Sequence, residues 1–579
     1  MATGTTAAST RPVDVGLKRE MGLIGAMWAS ETSIIGSGWL FGSYFAAAAI
    51  GGAAILAWII GGIIVIVLAL VHAELGGMFP VAGGTARFPH LAFGSGAGIS
   101  FGFFSWLQAV TVAPIECFAV LQYGQYWLDA HKITIYSETT GNVTHLGFVI
   151  TIVLMAIMTG VNFFAMRLFN YINAGITWWK VAIPVFAIIV LFFHFHGSNL
   201  SAGGGFLPKW SNVSGVVTSL ATTSDKLKAL FAAIPGAGIV FAYLGFEQAD
   251  QLAGEVKNPQ RNLPWAIIGA ILIGTAVYVL LQLTYLGATP ASLLGPKGFA
   301  GLSPTNPIVV GPFAGLTALV VAKWVGAILR VDAFISPYGT GQMYVTSTSR
   351  VGYGLARNRY YPSMFTRTDK NGVPWFSLII SFLFGLVFLL PFPSWHSLVG
   401  LVTSASVLMY AGAPLSMGAF RKVLPDANRP YRMPGAVVLA PIAFIFANLI
   451  IYWSGFETLW KLGVAIILGY LLILMHFSDN PRAPKINWKK STWLAVYLIG
   501  MGLISWQGQF GPENSGRLPF WWDMLTVAIF SLVIYYWAVA SCQNREEMEA
   551  AIEAQGGGKE DWEAQLAETA WGEEETPAA

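Results

Sequence analysis

The chain has 579 residues, 55% of them hydrophobic and only 11% charged, with a mean hydropathy of +0.61. That balance excludes a soluble globular protein and marks an integral membrane protein. The net charge of +3 says little about partners, because where the charges sit matters more than their sum.

A membrane-spanning helix needs about 20 largely apolar residues. Fourteen windows qualify, near 22–49, 53–79, 97–127, 147–168, 171–196, 228–252, 263–287, 311–338, 374–392, 395–420, 435–454, 456–477, 491–508 and 519–541, and they are called spans 1 to 14 below. With the N-terminus in the cytoplasm, alternate connecting segments collect 20 Lys and Arg residues, among them Arg87, Lys257, Arg350, Arg421 and Lys490, while the opposite segments hold six. The bias sets the orientation by the positive-inside rule and supports the even span count, which predicts both termini in the cytoplasm. Cys117 and Cys542 are the two cysteines, too few and too deep for a disulfide framework. The first apolar stretch is too long, and follows too polar an arm, to read as a cleavable signal peptide.

Span 1 carries "IIGSGW", residues 34–39. Glycines there either allow close helix packing or mark an unwound segment, which a bilayer tolerates only beside a cavity. Span 6 tips the balance: "PGAGIVFAYLGFEQADQ", residues 235–251, is interrupted by Pro235, Gly236, Gly238 and Gly245. Paired Gly- or Pro-interrupted spans in corresponding halves point to an inverted-repeat transporter with its substrate at the midplane. Spans 1 and 6 are five apart, and an odd offset inverts the second repeat, so both breaks meet at the centre. Amides of Gly36, Ser37 and Gly38 at a half-helix start suit a carboxylate. Carbonyls of Phe241, Ala242, Tyr243 and Gly245 suit an ammonium, so the pair of breaks fits an α-amino acid.

Three motifs in order then resemble the amino acid-polyamine-organocation superfamily. "IIGSGW" is similar to its first-span signature, and "FAYLGFEQADQLAGEVKNPQRNLPWAI", residues 241–267, to its sixth span and following loop. "SRVGYGLARNRYYPSMF", residues 349–365, resembles its amphipathic loop after span 8. The resemblance implies an all-α membrane protein, a five-plus-five inverted-repeat (LeuT-like) bundle with about 14 transmembrane helices, and secondary transport of amino acids or related amines. Fourteen spans and a basic span 8 are also similar to the aspartate/glutamate branch, with its aspartate-proton symporters.

Ionisable residues within spans are costly and are functional candidates by default. Lys180 lies in "TWWKVAIP" of span 5. It either bonds helix carbonyls or, as the resemblance implies for a span-5 lysine, replaces a sodium ion between spans 1, 5 and 8. A desolvated amine can cycle its proton, which makes Lys180 the first candidate for proton coupling. Glu116, in "VAPIECFAV" of span 3, is the second; its alternative is a bond to a neighbouring helix. Glu31, before the span 1 break, is either a gate or proton group or a vestibule residue in contact with water. Glu247 matches the acidic position of the resembled motif and is expected to organise unwound backbone.

In span 8, "VVAKWVGAILRVDAFISPYGTGQMY" places Lys323, Arg330 and Asp332 on one helix. Lys323 and Arg330 are seven apart and share a face. They either meet a second carboxylate on the substrate or form internal ion pairs. Arg330 and Asp332 are two apart, do not share a face, and are each expected to pair with another span. The aromatics Trp39, Phe41, Tyr243 and Phe246 equally suit a larger neutral side chain.

The stretch 349–369 mixes Arg350, Arg357, Arg359 and Arg367 with tyrosines. Between two spans and beside an anionic leaflet it reads as an interfacial helix, not a nucleic-acid site. No phosphate-cradling Gly-Lys-Ser/Thr loop is present, so ATP-driven transport has no support, and no cofactor or metal is expected. The tail ending "WGEEETPAA" predicts at most a short amphipathic helix and then a solvated acidic run.

These readings divide the chain into a cytoplasmic arm (1–20), a transport core (21–420), accessory spans (421–541) and an acidic cytoplasmic tail (542–579). The function they predict is proton-coupled import of an amino acid across the plasma membrane by alternating access. An amino acid/amine antiporter and a non-transporting amino acid sensor are the alternatives. Two broken helices disfavour a channel, because they build an occluded site instead of a continuous pore. An enzyme is not expected, and substrate, protons and the lipid bilayer are the expected partners.

Overall fold

The computed structural model describes residues 21–81, 83–163, 166–213, 216–303, 305–369, 371–479, 485–512 and 516–554. The N-terminal arm, with Arg11, Lys18 and Arg19, and the acidic run from 555 onward lie outside the described residues. The regular structure of the described chain is helical apart from two short antiparallel hairpins, Tyr136–Ser137 with Asn142–Val143 and Trp210–Val213 with Val216–Ser219, and one isolated bridge from Met21 to Val256. All fourteen apolar windows contain helix. Among the described residues seven helical runs have the length and apolarity to cross a bilayer, and three shorter apolar helices, His145–Val161, Trp375–Leu389 and Thr492–Gln507, lie in spans 4, 9 and 13.

The centre of the bundle is Ser95–Leu128 in span 3, whose side chains are buried without interruption from Ser95 to Gln125. A helix that is apolar all round belongs in the interior, and this one packs most heavily against Lys323–Arg357 of span 8. Span 1 is two helices, Leu23–Ile34 and Ser37–Ile50, separated by Ile35 and Gly36. Span 6 is three, Thr223–Gly236, Ile239–Tyr243 and Gln248–Gln251.

The two broken spans touch at their breaks. A Cβ on Gly38 would come within 2.7 Å of the Ala242 Cα, and one on Gly245 within 2.6 Å of the Ser33 Cβ. Gly245 also has a φ of 120°, which only glycine adopts readily. Backbone groups freed by the breaks find partners elsewhere, as a bilayer interior requires. Tyr278 Oη donates to the Ile34 carbonyl at 2.6 Å, Ser30 Oγ to the Phe246 carbonyl at 2.9 Å, and the Gly36 amide to the Ile34 carbonyl at 3.0 Å.

Two expectations need correction. Span 8 is not continuous: Pro312–Val320 ends and Lys323–Arg357 begins after Val321 and an extended Ala322. No glycine or proline marks that break, and ordinary residues adopt its dihedrals. The same helix then runs on to Arg357, so the start of the expected interfacial helix is the inner end of span 8. Arg350 is buried there against Glu255, Nε to Oε1 at 3.0 Å, and does not face a leaflet.

The helices Ala436–Trp453, Thr492–Gln507 and Phe520–Ala540 share one buried polar node. Asn448 donates to Ser531 Oγ at 2.9 Å and accepts from Tyr497 Oη at 2.6 Å. After span 14, a short helix Arg545–Glu553 docks on the helix Gly84–Phe93 between spans 2 and 3.

Candidate functional site

The span 1 break presents carbonyls from its first half-helix and amides from its second, and side chains from spans 3, 5 and 8 fill both. Glu116 Oε2 accepts from the Ser37 amide at 2.9 Å, and Oε1 accepts from Ser37 Oγ at 3.0 Å. A carboxylate therefore caps the N-terminus of Ser37–Ile50, where orphan amides and the helix dipole favour an anion. On the other side of the break, Lys180 Nζ donates to the Thr32 carbonyl at 2.5 Å and to Thr340 Oγ1 at 2.8 Å. Thr340 Oγ1 in turn donates to the Thr32 carbonyl at 2.7 Å.

Gly36 holds these halves together by having no side chain. A Cβ there would sit 2.6 Å from Thr340 Oγ1 and 2.9 Å from Glu116 Oε1. Its backbone is extended, with φ −113° and ψ −146°, so the requirement is steric and not conformational.

Lys180 is fully buried, and its electrostatic neighbours are three carboxylates, Glu116, Asp332 and Glu31. Asp332 accepts from Trp179 Nε1 at 2.9 Å and from Ser336 Oγ at 2.8 Å, which meets the expectation that it pairs with another span. Glu31 has no exposure, and neither carboxylate oxygen has a hydrogen-bond partner among the described residues. The reading of Glu31 as a vestibule residue in contact with water is therefore corrected: packing of span 1 against spans 5 and 7 covers it.

Glu247 organises the span 6 break, as its position predicts. It accepts from the Gly245 amide at 2.9 Å, Tyr344 Oη at 3.1 Å and Tyr410 Oη at 2.5 Å. Between the broken spans lies a cavity of about 10 Å³, room for a water molecule and not for an amino acid. Gly36, Gly38, Glu116, Phe241, Thr340 and Tyr344 are among its lining residues.

The other expected site residues are placed as follows. Ser37 turns to Glu116, Ala242 packs on Gly38 and Gly245 packs on Ser33, outside the cavity lining. Tyr243 points away and donates to the Trp58 carbonyl at 2.9 Å. Lys323 is exposed at the first residue of its helix, and the Arg330 guanidinium lies 3.6 Å from the Tyr126 ring centroid. Neither lines the cavity.

Sequence reasoning missed Thr340, Tyr344 and Trp395. Trp395 Nε1 donates to Ser37 Oγ at 2.7 Å, and its ring packs on Phe41, Phe45 and Phe241. The Gly-Thr-Gly triplet around Thr340 was the available signal: Cβ atoms on Gly339 and Gly341 would meet Lys180 at 3.2 Å and Met158 at 2.9 Å.

A family model described as amino acid permease matches residues 25–505. The chain is 35% identical to the glutamate/serine transporter AimA of Bacillus subtilis (strain 168), over 93% of this chain and 96% of that protein. It is 33% identical to the aspartate-proton symporter of the same organism, over 90% and 96%. Among solved structures it resembles Mhp1, a nucleobase-cation-symport-1 family transporter in a closed conformation with bromovinylhydantoin bound. The TM-score is 0.51 at 13% identity, covering 94% of this chain and 99% of that one, a likeness of fold alone.

Proposed function

The chain belongs to the amino acid permease family, and on that premise we propose that it imports an amino acid together with protons, by alternating access about the paired breaks. As a permease it is a multi-pass membrane transporter and not an enzyme. Its cargo in this reading is a small amino acid of the kind its relatives are named for, glutamate, serine or aspartate. The orientation we assign puts both termini and the Arg-rich loops on the cytoplasmic side of the plasma membrane. The transport core is 21–420, with spans 11 to 14 as an accessory layer.

The observation that carries this reading is the Glu116 carboxylate on the Ser37 amide, beside a buried lysine held by neutral oxygens. Glu116 stands where a substrate carboxylate is expected to rest. Protonation removes its charge, loosens its hold on Ser37 and frees that amide, between Gly36 and Gly38, for the incoming carboxylate. The substrate ammonium then faces carbonyls between Phe241 and Gly245. Lys180 donates and recovers the coupling proton, and Thr340 links it to the cavity wall. Lys323 and Arg330 lie away from the cavity, so the reading leaves them structural.

The test is uptake of labelled glutamate, aspartate or serine into proteoliposomes with an imposed pH gradient, acidic on the extracellular face. Wild type is expected to accumulate substrate only with the gradient. Lys180→Ala is expected to lose gradient-driven accumulation while retaining exchange of substrate for substrate. Uptake indifferent to the gradient, or a Lys180→Ala protein that still concentrates substrate, overturns the proposal.

A further inference from the structure

Trp395 begins the helix Trp395–Tyr410 of span 10 at its extracellular end and is 1% exposed. Its ring covers the outer side of both breaks: it packs on Phe41 and Phe241, and a Cβ on Gly238 would come within 2.7 Å of it. The indole N–H is a donor only, so at 2.7 Å it makes Ser37 Oγ an acceptor. A serine hydroxyl has a single hydrogen, and with an acceptor lone pair taken from the outer side that hydrogen turns to Glu116 Oε1, 3.0 Å away. All three side chains are buried, so no bulk water competes for the rotor.

We propose that Trp395 is a positioning residue for proton coupling: its indole N–H locks the Ser37 hydroxyl as a donor to Glu116, so that closure of the extracellular end of span 10 is felt at the coupling carboxylate. When span 10 swings out, the lock on Ser37 is lost and Glu116 loses an oriented donor. The inference rests on the reading of Glu116 as a coupling group. The other titratable groups facing Glu116 and its lysine are Cys117 in span 3, Lys180 in span 5, Glu31 in span 1, Tyr278 in span 7, and Asp332 and Tyr344 in span 8. None of them bonds Ser37 Oγ among the described contacts, so the chain from Trp395 to Glu116 can be cut without touching them.

The experiment is the pH profile of substrate uptake in proteoliposomes for wild type, Trp395→Phe, Ser37→Ala, the double variant and Glu116→Gln. Phenylalanine keeps an aromatic ring at the lid while removing the donor together with part of the indole that packs on Gly238; Ser37→Ala cuts the same chain by deleting one oxygen and leaves that packing in place. Loss of a hydrogen bond to a carboxylate disfavours its charged form, so each single variant is expected to move the uptake midpoint to higher pH by about half a unit or more. The double variant is expected to move it no further than either single one. An unmoved midpoint in both single variants, or additive shifts in the double, overturns the inference while leaving Glu116 as coupling group if Glu116→Gln has lost the pH dependence. A Glu116→Gln protein that keeps the wild-type profile overturns the inference and the role of Glu116 together.

Discussion

Gly36 shows how much of this site depends on one missing methyl group. Its neighbours cannot yield cheaply: Thr340 is tied to both Lys180 and the Thr32 carbonyl, and Glu116 is tied to Ser37 through two atoms. A Cβ at 2.6 and 2.9 Å from their oxygens must push one of the two off its partner. Gly36→Ala is therefore expected to cut the initial uptake rate about 100-fold, the scale at which a displacement near 1 Å acts on a positioned group. Gly160→Ala is the control, because an added Cβ there meets nothing within 4 Å and alanine is the better helix former. Initial rates at matched abundance in the membrane decide the matter; a Gly36→Ala protein transporting at the wild-type rate would remove the break from the transport path.

At the level of elements, the segment after span 14 shows how a short helix is held against the core. Gln543 caps the end of Gly84–Phe93: its amide donates to the Ala92 carbonyl at 2.9 Å, and its side chain to those of Leu91 and His90 at 2.8 and 3.2 Å. Those of Leu91 and Ala92 are among the orphan carbonyls every helix leaves at its C-terminus, whereas that of His90 also accepts from the Gly94 amide at 2.9 Å. His90 on that helix pairs with Tyr360 Oη, and burial, then the Arg87 cation, pushes its imidazole down to about 4. The depressed value sets the sign of the pH dependence. Neutral His90 stabilises the fold in full above the ordinary value of about 6.5, and the contribution is lost as pH falls from there toward 4, where the unfolded chain binds a proton that the folded one refuses. The thermal midpoint of purified protein is thus expected to fall between pH 7 and 5, and to fall less in His90→Gln; equal slopes would place a charged imidazole in this interface. The breaks in spans 1 and 6 were legible beforehand because glycine and proline announce them, and Glu116 and Lys180 because ions are rare in apolar windows. The break before Lys323 was not, since Val321 and Ala322 carry no such mark. Trp395 was not either, and Thr340 only through the two glycines that flank it: they act across more than 300 residues of sequence, and a threonine or tryptophan in a membrane helix is ordinary. The seven-residue spacing of Lys323 and Arg330 could not say what either side chain would meet.

The molecule as a whole is closed at both ends of the break. Above it lies Trp395; below it the start of span 1, the loop after span 6 and the inner end of span 8 form one clamp. The Met21 amide donates to the Glu255 carbonyl at 2.9 Å and the Lys257 amide to the Met21 carbonyl at 2.7 Å. The Glu255 side chain meets Arg350 at 3.0 Å, both side chains being less than 5% exposed. In the orientation proposed above, release toward the cytoplasm requires these three elements to separate, and the buried ion pair is the contact whose loss leaves the hydrogen-bonded backbone able to part. Arg350→Gln is expected to favour the inward-facing state, because a charge-assisted hydrogen bond that exists only in the closed form biases the equilibrium toward closure. A reporter is at hand in Ser33, which lines the cavity and is 4% exposed. With Cys117→Ala and Cys542→Ala as background, Ser33→Cys in inside-out vesicles is expected to react slowly with a membrane-impermeant thiol reagent. Adding Arg350→Gln is expected to raise that rate about tenfold, the measure of losing one such bond. An unchanged rate would mean that backbone pairing through Met21 alone keeps the cytoplasmic side shut, and would shift the gate from the ion pair to the chain entering span 1.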